Sequence, residues 1–421
     1  MDIYTVKKIP SSEETLILSV PASKSILNRA LFLAAFTDGI TSLHCGNYGQ
    51  DTRDLLSCLT ALGIQLEPAS DGIVVHGRTK IPSKSAILNV GSAGTVARFL
   101  TTILAFRGGE YEMYASSQME KRPMEILTTL EHTGVQIDYL KKYGHFPFRM
   151  HSNGMHSPVE INTDTSTQYA SGLMLAAAIG KQPFLLNLTG KRTNGSYIAL
   201  TEKIIDDFGG DCNRSSEKIF ITPISRKTET FTVEPDMSAA SYFYALSLLL
   251  HRKVLVRDIH FNCEQPDFAF LRLLETKGVK LTQCTDGILA DGTDIEEYDG
   301  FDVDLRNFSD QTLTVAALAP FATSPSRLRG IRHIRKQECD RVNAILENLS
   351  TLGIPCSATE DEIIIEPSTI HGGRINTFND HRVAMAFALI GLKTGNIVIE
   401  NPLCCQKTFE NYFEILDEIT K

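Results

Sequence analysis

Cationic side chains recur in this chain of 421 residues at the openings of apolar segments. Lys24 and Arg29 stand in Ser23-Lys-Ser-Ile-Leu-Asn-Arg29, Arg98 in Gly94-Thr-Val-Ala-Arg98, and Arg382 in Asp380-His-Arg382. Three more sit in stretches of loop composition: Arg122 in Lys121-Arg-Pro123, Arg341 in Glu338-Cys-Asp-Arg341, and Lys407 before Thr408-Phe. Such groups suit the recognition of carboxylates and phosphates. Taken singly, each reads as a solvated surface charge. Lys24 and Arg29 differ, because they flank Ala30-Leu-Phe-Leu-Ala-Ala35 and so lie beside a buried surface. A cation there needs an anion to be tolerated.

Two acids could complement these cations. Asp310 opens an apolar helical segment, and its spacing alone favours an ordinary helix N-cap. Glu338 precedes the helical stretch Val342 to Leu349 and by itself reads as a helix-start charge. Asn379, Asp380, His381 and Arg382 form a polar cluster at the opening of the last apolar helix.

A repeat must position these groups. Six segments open with a small polar or acidic residue and run into an Ala-rich apolar helix, at Ser23, Ser92, Ser166, Ser238, Asp310 and Asp380. The openings are 69, 74, 72, 72 and 70 positions apart. In five of the six units an amphipathic helix then stops at a glycine: Gly63, Gly134, Gly209, Gly278 and Gly353. A glycine there is the expected left-handed stop. Short alternating strands follow, such as Gly72-Ile-Val-Val-His76 and Glu362-Ile-Ile-Ile-Glu366. Each unit reads as strand, helix, strand, helix, strand, strand, which makes the chain α/β. Its apolar helices should be buried, with N-termini capped by Ser, Thr or Asp. If those N-termini converge, their partial positive charge makes a centre for anions between domains.

Composition narrows the class. Hydrophobic residues are 43% and charged residues 22%, as in soluble globular proteins. A net charge of −9 argues against nucleic acid or an anionic membrane as the main partner. Nine cysteines occur without a C-x-x-C pair or zinc spacing, which points to a reducing cytoplasm. No apolar run reaches the roughly 18 residues that span a bilayer. No dinucleotide, P-loop or zinc-protease motif is present.

The ordered set of motifs is specific. Pro21-Ala-Ser-Lys-Ser-Ile-Leu-Asn-Arg29, Gly91-Ser-Ala-Gly-Thr-Val-Ala-Arg98, Lys121-Arg-Pro123, Gln337-Glu-Cys-Asp-Arg341, Asn379-Asp-His-Arg382 and Lys407-Thr-Phe resemble the 5-enolpyruvylshikimate-3-phosphate synthase family over essentially the whole chain. The resemblance implies a two-domain inside-out α/β barrel of six βαβαββ repeats, three per domain, with the active site in the interdomain cleft. It divides the chain into 1–20 plus 236–421 and 21–235, with crossings near Val20 to Ala22 and Glu234 to Ser238.

The resemblance also implies roles. Lys24, Ser25, Arg29, Ser166, Thr167, Gln168, Asn194, Asp310, His333 and Gln337 would contact shikimate 3-phosphate. Lys24, Gly94, Arg122, Gln168, Arg341, Arg382 and Lys407 would hold phosphoenolpyruvate. Asp310 would act as general base, and Glu338 with Lys24 would manage the proton at the methylene carbon. Gly94 lies where a larger residue would crowd phosphoenolpyruvate, which suggests sensitivity to its analogue glyphosate. No cofactor or metal is expected, and the expected state is a cytoplasmic monomer.

Three positions depart from the family pattern: Gln337 stands for a Lys, His333 for an Asn and Asn194 for a Ser. Thr167 replaces a second Ser. The related enolpyruvyl transfer to UDP-N-acetylglucosamine is an alternative. That family carries Lys-Asn where this chain has Lys24-Ser25, and a loop cysteine that the segment around Arg122 lacks. A non-catalytic or RNA-end-processing relative of the same repeat is the other alternative. The retained Lys24, Asp310 and Glu338 speak against a pseudoenzyme, and the acidic balance against RNA.

Overall fold

A computed structural model describes residues 2–81, 83–155 and 158–421. The chain forms two compact units, Ala22–Val233 and Met1–Pro21 with Glu234–Lys421. Each has its own hydrophobic core.

In the unit Ala22–Val233, three apolar helices pack on one another: Lys24–Ala35, Gly94–Arg107 and Gln168–Ala178. Each is buried nearly all round, as its composition demands. Among the described residues this unit has three four-stranded sheets, each with one parallel and two antiparallel pairings. Ser85–Asn89 runs parallel to Gly109–Tyr114, which pairs antiparallel with Phe148–Ser152. Val159–Asn162 and Phe184–Thr189 repeat that arrangement with Lys218–Thr222. In the first sheet the outer parallel strand, Thr230–Thr232 beside Gly39–His44, comes from the far end of the unit.

The other unit repeats the plan around helices Met237–Leu249, Thr312–Leu318 and His381–Thr394. All residues of Met237–Leu249 are buried. Leu16–Leu18 runs parallel to Lys253–Arg257, so an N-terminal strand opens the fourth repeat. Among the described residues the sixth sheet has three strands, not four. Gly373–Ile375 lies parallel to Ile397–Glu400, and Ile3–Val6 pairs antiparallel with the latter.

The five stop glycines share one geometry. Gly63, Gly134, Gly209, Gly278 and Gly353 have φ of 84°, 92°, 85°, 94° and 79°. Each is followed by an N–H that reaches back to the helix, as in Ile64 N–H to Leu59 O at 3.0 Å and Ile354 N–H to Leu349 O at 2.9 Å. Such turns satisfy helix-end carbonyls in a conformation glycine adopts without a Cβ clash. Strands then alternate buried and half-exposed positions, as in Gly72–Gly77.

Side-chain capping is less regular than the sequence suggests. Ser23, Asp236 and Asp380 cap their helices through side-chain oxygens. The second, third and fifth buried helices have no side-chain cap, and their cap positions are Ala93, Thr167 and Gln311. No helix among the described residues is long and apolar enough to cross a membrane.

Candidate active site

Within each unit, side chains from the openings of neighbouring buried helices meet. Arg98 donates from Nη1 to Gln168 Oε1 and lies over the Tyr169 ring at 5.4 Å. Asn28 donates to Thr95 Oγ1 at 2.9 Å, linking the first two helices. In the other unit, Arg382 reaches back one repeat to Asp310 and two repeats to Ser238.

In the unit Ala22–Val233, Lys24 is the first residue of its helix and pairs with Asp51 at 3.2 Å. Asp51 is 1% exposed and lies in the first turn of the helix Gln50–Ala61. Sequence reasoning passed over Asp51, because an acid in a first helical turn is ordinary. Arg29 is fully buried, and its partners are all neutral. Nε donates to Thr201 Oγ1 at 2.8 Å, Nη1 to Ser25 O at 2.8 Å and Nη2 to Ser171 Oγ at 3.2 Å. Its guanidinium also lies over the Phe99 ring at 5.0 Å. Burial lowers its pKa to about 10.

Gly94 begins the second buried helix. A Cβ there would stand 2.9 Å from Arg98 Nη1 and 3.1 Å from Arg122 Nη1, so both guanidinium groups crowd this glycine. The Pro123 to Glu125 segment that follows Arg122 is pinned by Tyr169. Its hydroxyl donates to Pro123 O at 3.1 Å and accepts from Glu125 N–H at 3.2 Å. Ser166 Oγ accepts from Gln168 N–H at 3.2 Å. Thr167 is buried, and Asn194 is exposed with its Oδ1 taken by Arg214 at 2.8 Å.

The other unit builds a dense ionic cluster. Asp310 does not cap the fifth buried helix, contrary to the simplest expectation from its spacing. It lies in the 3-10 turn Ser309–Gln311, where Oδ1 accepts from Arg341 Nη1 at 3.0 Å and Oδ2 from Arg382 Nη2 at 2.9 Å. Spacing cannot reveal this, because the partners are 31 and 72 residues away.

Arg341 begins the helix Arg341–Thr351 and is fully buried. Its Nε donates to Asp380 Oδ2 at 2.8 Å, its Nη2 to Glu338 Oε2 at 3.1 Å, and its Nη1 also to Gln337 Oε1. Burial works against this charge, but Asp380, Glu338 and Asp310 outweigh it and raise the pKa. Glu338 also accepts from Lys407 at 3.3 Å. His333 Nε2 lies 2.7 Å from Ser309 Oγ, beside Asp310 in the chain. The loop before the last helix is strained. Phe378 and Asn379 have φ of 52° and 56°, a region bulky residues avoid, and they lead directly into Asp380.

Chemically, these sets offer cations for multiply charged anions and carboxylates for proton transfer. Asp310 and Glu338 each touch cations that an anionic substrate would compete for. A carboxylate so placed can exchange a proton as the cations turn to the substrate.

Fold and side chains together define an α/β enzyme of repeated βαβαββ units whose helix openings gather cationic side chains. A family model described as EPSP synthase (3-phosphoshikimate 1-carboxyvinyltransferase) matches residues 10–416. The 3-phosphoshikimate 1-carboxyvinyltransferase of Trichormus variabilis is 35% identical over 405 residues, which is 94% of each chain. A solved EPSP synthase from Acinetobacter baumannii matches with a TM-score of 0.79 at 22% identity, covering 99% of this chain and 98% of that one. The enolpyruvyl transferase NikO from Streptomyces tendae matches at 0.74 and 16% identity, covering 99% and 96%. At such identities the two structures speak for the fold. The chain belongs to the EPSP synthase family of transferases.

Proposed function

We propose that this chain transfers the enolpyruvyl group of phosphoenolpyruvate to the 5-hydroxyl of shikimate 3-phosphate and releases phosphate. The step belongs to the shikimate pathway, which leads to chorismate and the aromatic amino acids. Family membership supports the activity. The observation that carries the mechanism is Asp310, held by Arg341 and Arg382 instead of capping a helix.

Phosphoenolpyruvate engages Arg341, Arg382, Lys407, Lys24, Arg122 and Gln168, with Gly94 leaving room for it. Shikimate 3-phosphate engages Lys24, Ser25, Arg29, Ser166, Thr167, Gln168 and Asn194, and His333, Gln337 and Asp310 on the ring side. Arg29, a buried cation with neutral partners, supplies positive charge to the phosphate. As the donor takes Arg341 and Arg382, Asp310 is released to accept the hydroxyl proton. The new bond forms between that oxygen and C2, while Glu338, assisted by Lys24, protonates C3. The C2–O bond to phosphate then breaks, and C3 loses a proton to restore the double bond. Acid–base groups and fixed cations suffice to balance these steps.

Phosphate release tests the acceptor. Incubation with phosphoenolpyruvate and shikimate 3-phosphate should liberate phosphate, and UDP-N-acetylglucosamine in its place should not. Release with the nucleotide sugar alone would assign the sister activity. The two units serve as its domains, and it works as a cytoplasmic monomer without a cofactor. Nine free thiols fit a reducing compartment, and light scattering after size exclusion would read one chain per particle.

A further expected result concerns Gly94→Ala. The added methyl pushes Arg98 and Arg122 away, so the KM for phosphoenolpyruvate should rise about tenfold, the cost of one weakened charge-assisted hydrogen bond. The KM for shikimate 3-phosphate should change little. Equal rises in both would contradict this role.

A further inference from the structure

A turn remote in sequence from every residue given a role above lies behind the ionic cluster. Gln265 and Asp267 flank the start of the 3-10 turn Pro266–Phe268, and both are buried. Gln265 braces the segment that leads into the fourth buried helix. Its Nε2 donates to Pro235 O at 2.7 Å and Glu234 Oε2 at 3.0 Å, and its Oε1 accepts from Met237 N–H at 3.1 Å. Asp267 acts one residue further on. Its Oδ2 accepts from the hydroxyl of Ser238, and Ser238 Oγ accepts from Arg382 Nη2 at 3.3 Å. The same Arg382 nitrogen donates to Asp310 at 2.9 Å.

We propose that Asp267 is a positioning residue, which acts through Ser238 to fix the orientation of Arg382 toward phosphoenolpyruvate and Asp310. The inference rests on the reaction proposed above.

The argument follows from donors and acceptors. Ionised, Asp267 can only accept, so the Ser238 proton points at it and the Ser238 lone pairs face Arg382. Protonated, Asp267 can donate to Ser238, and the serine proton is free to turn against the guanidinium. Arg382 then loses its anchor on Ser238. The charged groups acting on Asp267 are Asp310, Arg382 and Asp236. Burial first, and the Asp310 carboxylate second, push its carboxyl up to about 7, against the pull of Arg382 and the Ser238 hydrogen bond. Its second oxygen, Oδ1, has no hydrogen-bond partner among the described residues, which adds to the cost of the ionised form.

A purely structural role predicts a different pattern. With a folded-state pKa of about 7, against 3.8 for the free group, the unfolded chain loses this proton first as pH rises. Between those values this group therefore makes the fold less stable as pH rises, with no further change above about 7. Asp267→Asn removes that loss, so its thermal midpoint at pH 8 should equal or exceed that of the parent chain. Function should move the other way.

The test is steady-state kinetics of the full chain, Asp267→Asn and Ser238→Ala from pH 6 to 9 in shared buffers. At pH 8 the KM for phosphoenolpyruvate should rise about tenfold in both variants, as for one lost charge-assisted hydrogen bond. The KM for shikimate 3-phosphate should hold within a factor of about two. Substrate titration is common to all three proteins, so their ratio isolates the protein group. That ratio should shrink toward one below pH 7, where the parent chain itself becomes protonated. Combining both substitutions should add little beyond either alone. If Asp267→Asn does not fold, Ser238→Ala carries the same expectation. An unchanged KM for phosphoenolpyruvate at pH 8, a pH-independent ratio, or additive effects would overturn the proposal. An inactive parent chain would instead overturn the reaction assigned above.

Discussion

Asp310→Asn should lower kcat by about 10²–10⁴-fold, the range typical of a lost general base. Shikimate 3-phosphate should still bind, as titration calorimetry can show. The geometry adds a second expectation. Asp310 holds Arg341 at 3.0 Å and Arg382 at 2.9 Å. A neutral amide competes less for both arginines, so the KM for phosphoenolpyruvate should not rise. A residue that merely bound substrate would raise KM and spare kcat. Near-normal turnover would remove Asp310 from the base role, and a raised KM with unchanged kcat would make it a binding group.

Arg341→Met should have the largest effect on stability. The substitution keeps much of the side-chain volume and deletes the cation among Asp380, Glu338 and Asp310. Asp380 is fully buried and Glu338 is 12% exposed, so water compensates poorly. Removing one member of a buried ionic group costs about 3–5 kcal/mol. A denaturant titration should show that loss, and turnover should fall with it. Adding Asp380→Asn should restore part of the stability, since it removes an uncompensated charge. Asparagine also caps helices well and can keep the bond Asp380 accepts from Arg382 N–H at 2.9 Å. Losses that simply add would mean that Arg341 and Asp380 are not coupled.

Much of the fold was legible because two different signals share one period. Ala-rich helices at Ser23, Ser92, Ser166, Ser238, Asp310 and Asp380 set the repeat, and the stop glycines set it again. Those glycines are constrained by backbone geometry, so their positive φ values follow from residue type. The family resemblance places residues 1–20 with 236–421, but the strand partners at the ends of the units were not legible from residue pattern. Thr230–Thr232 and Leu16–Leu18 are too short to announce their partners. Capping was overestimated, because the cap positions of the second, third and fifth buried helices are Ala93, Thr167 and Gln311, none with a side-chain cap, and Ser166 bonds only the first N–H of its helix, at Gln168.

The site divides along the same line. Basic residues at helix openings were visible as types, and their neighbours were not. Asp51 beside Lys24 and Asp267 behind Arg382 look like ordinary acids in their local sequence, since only the fold brings them to a cation or its anchor. Gln337, His333 and Asn194 depart from the family pattern, and each has a partner in this chain. Gln337 bonds Arg341, His333 bonds Ser309 and Asn194 bonds Arg214. These positions are thus built into their surroundings with their own residue types.

Direct observation of the product tests the central claim most closely. Phosphorus and proton NMR of one incubation with phosphoenolpyruvate and shikimate 3-phosphate should follow three signals together. Inorganic phosphate should grow, the shikimate 3-phosphate signal should shift, and a new pair of vinyl protons should appear in equal amount. Phosphate without new vinyl protons would mean hydrolysis rather than transfer. No change in any signal would contradict the assignment of enolpyruvyl transfer to this chain.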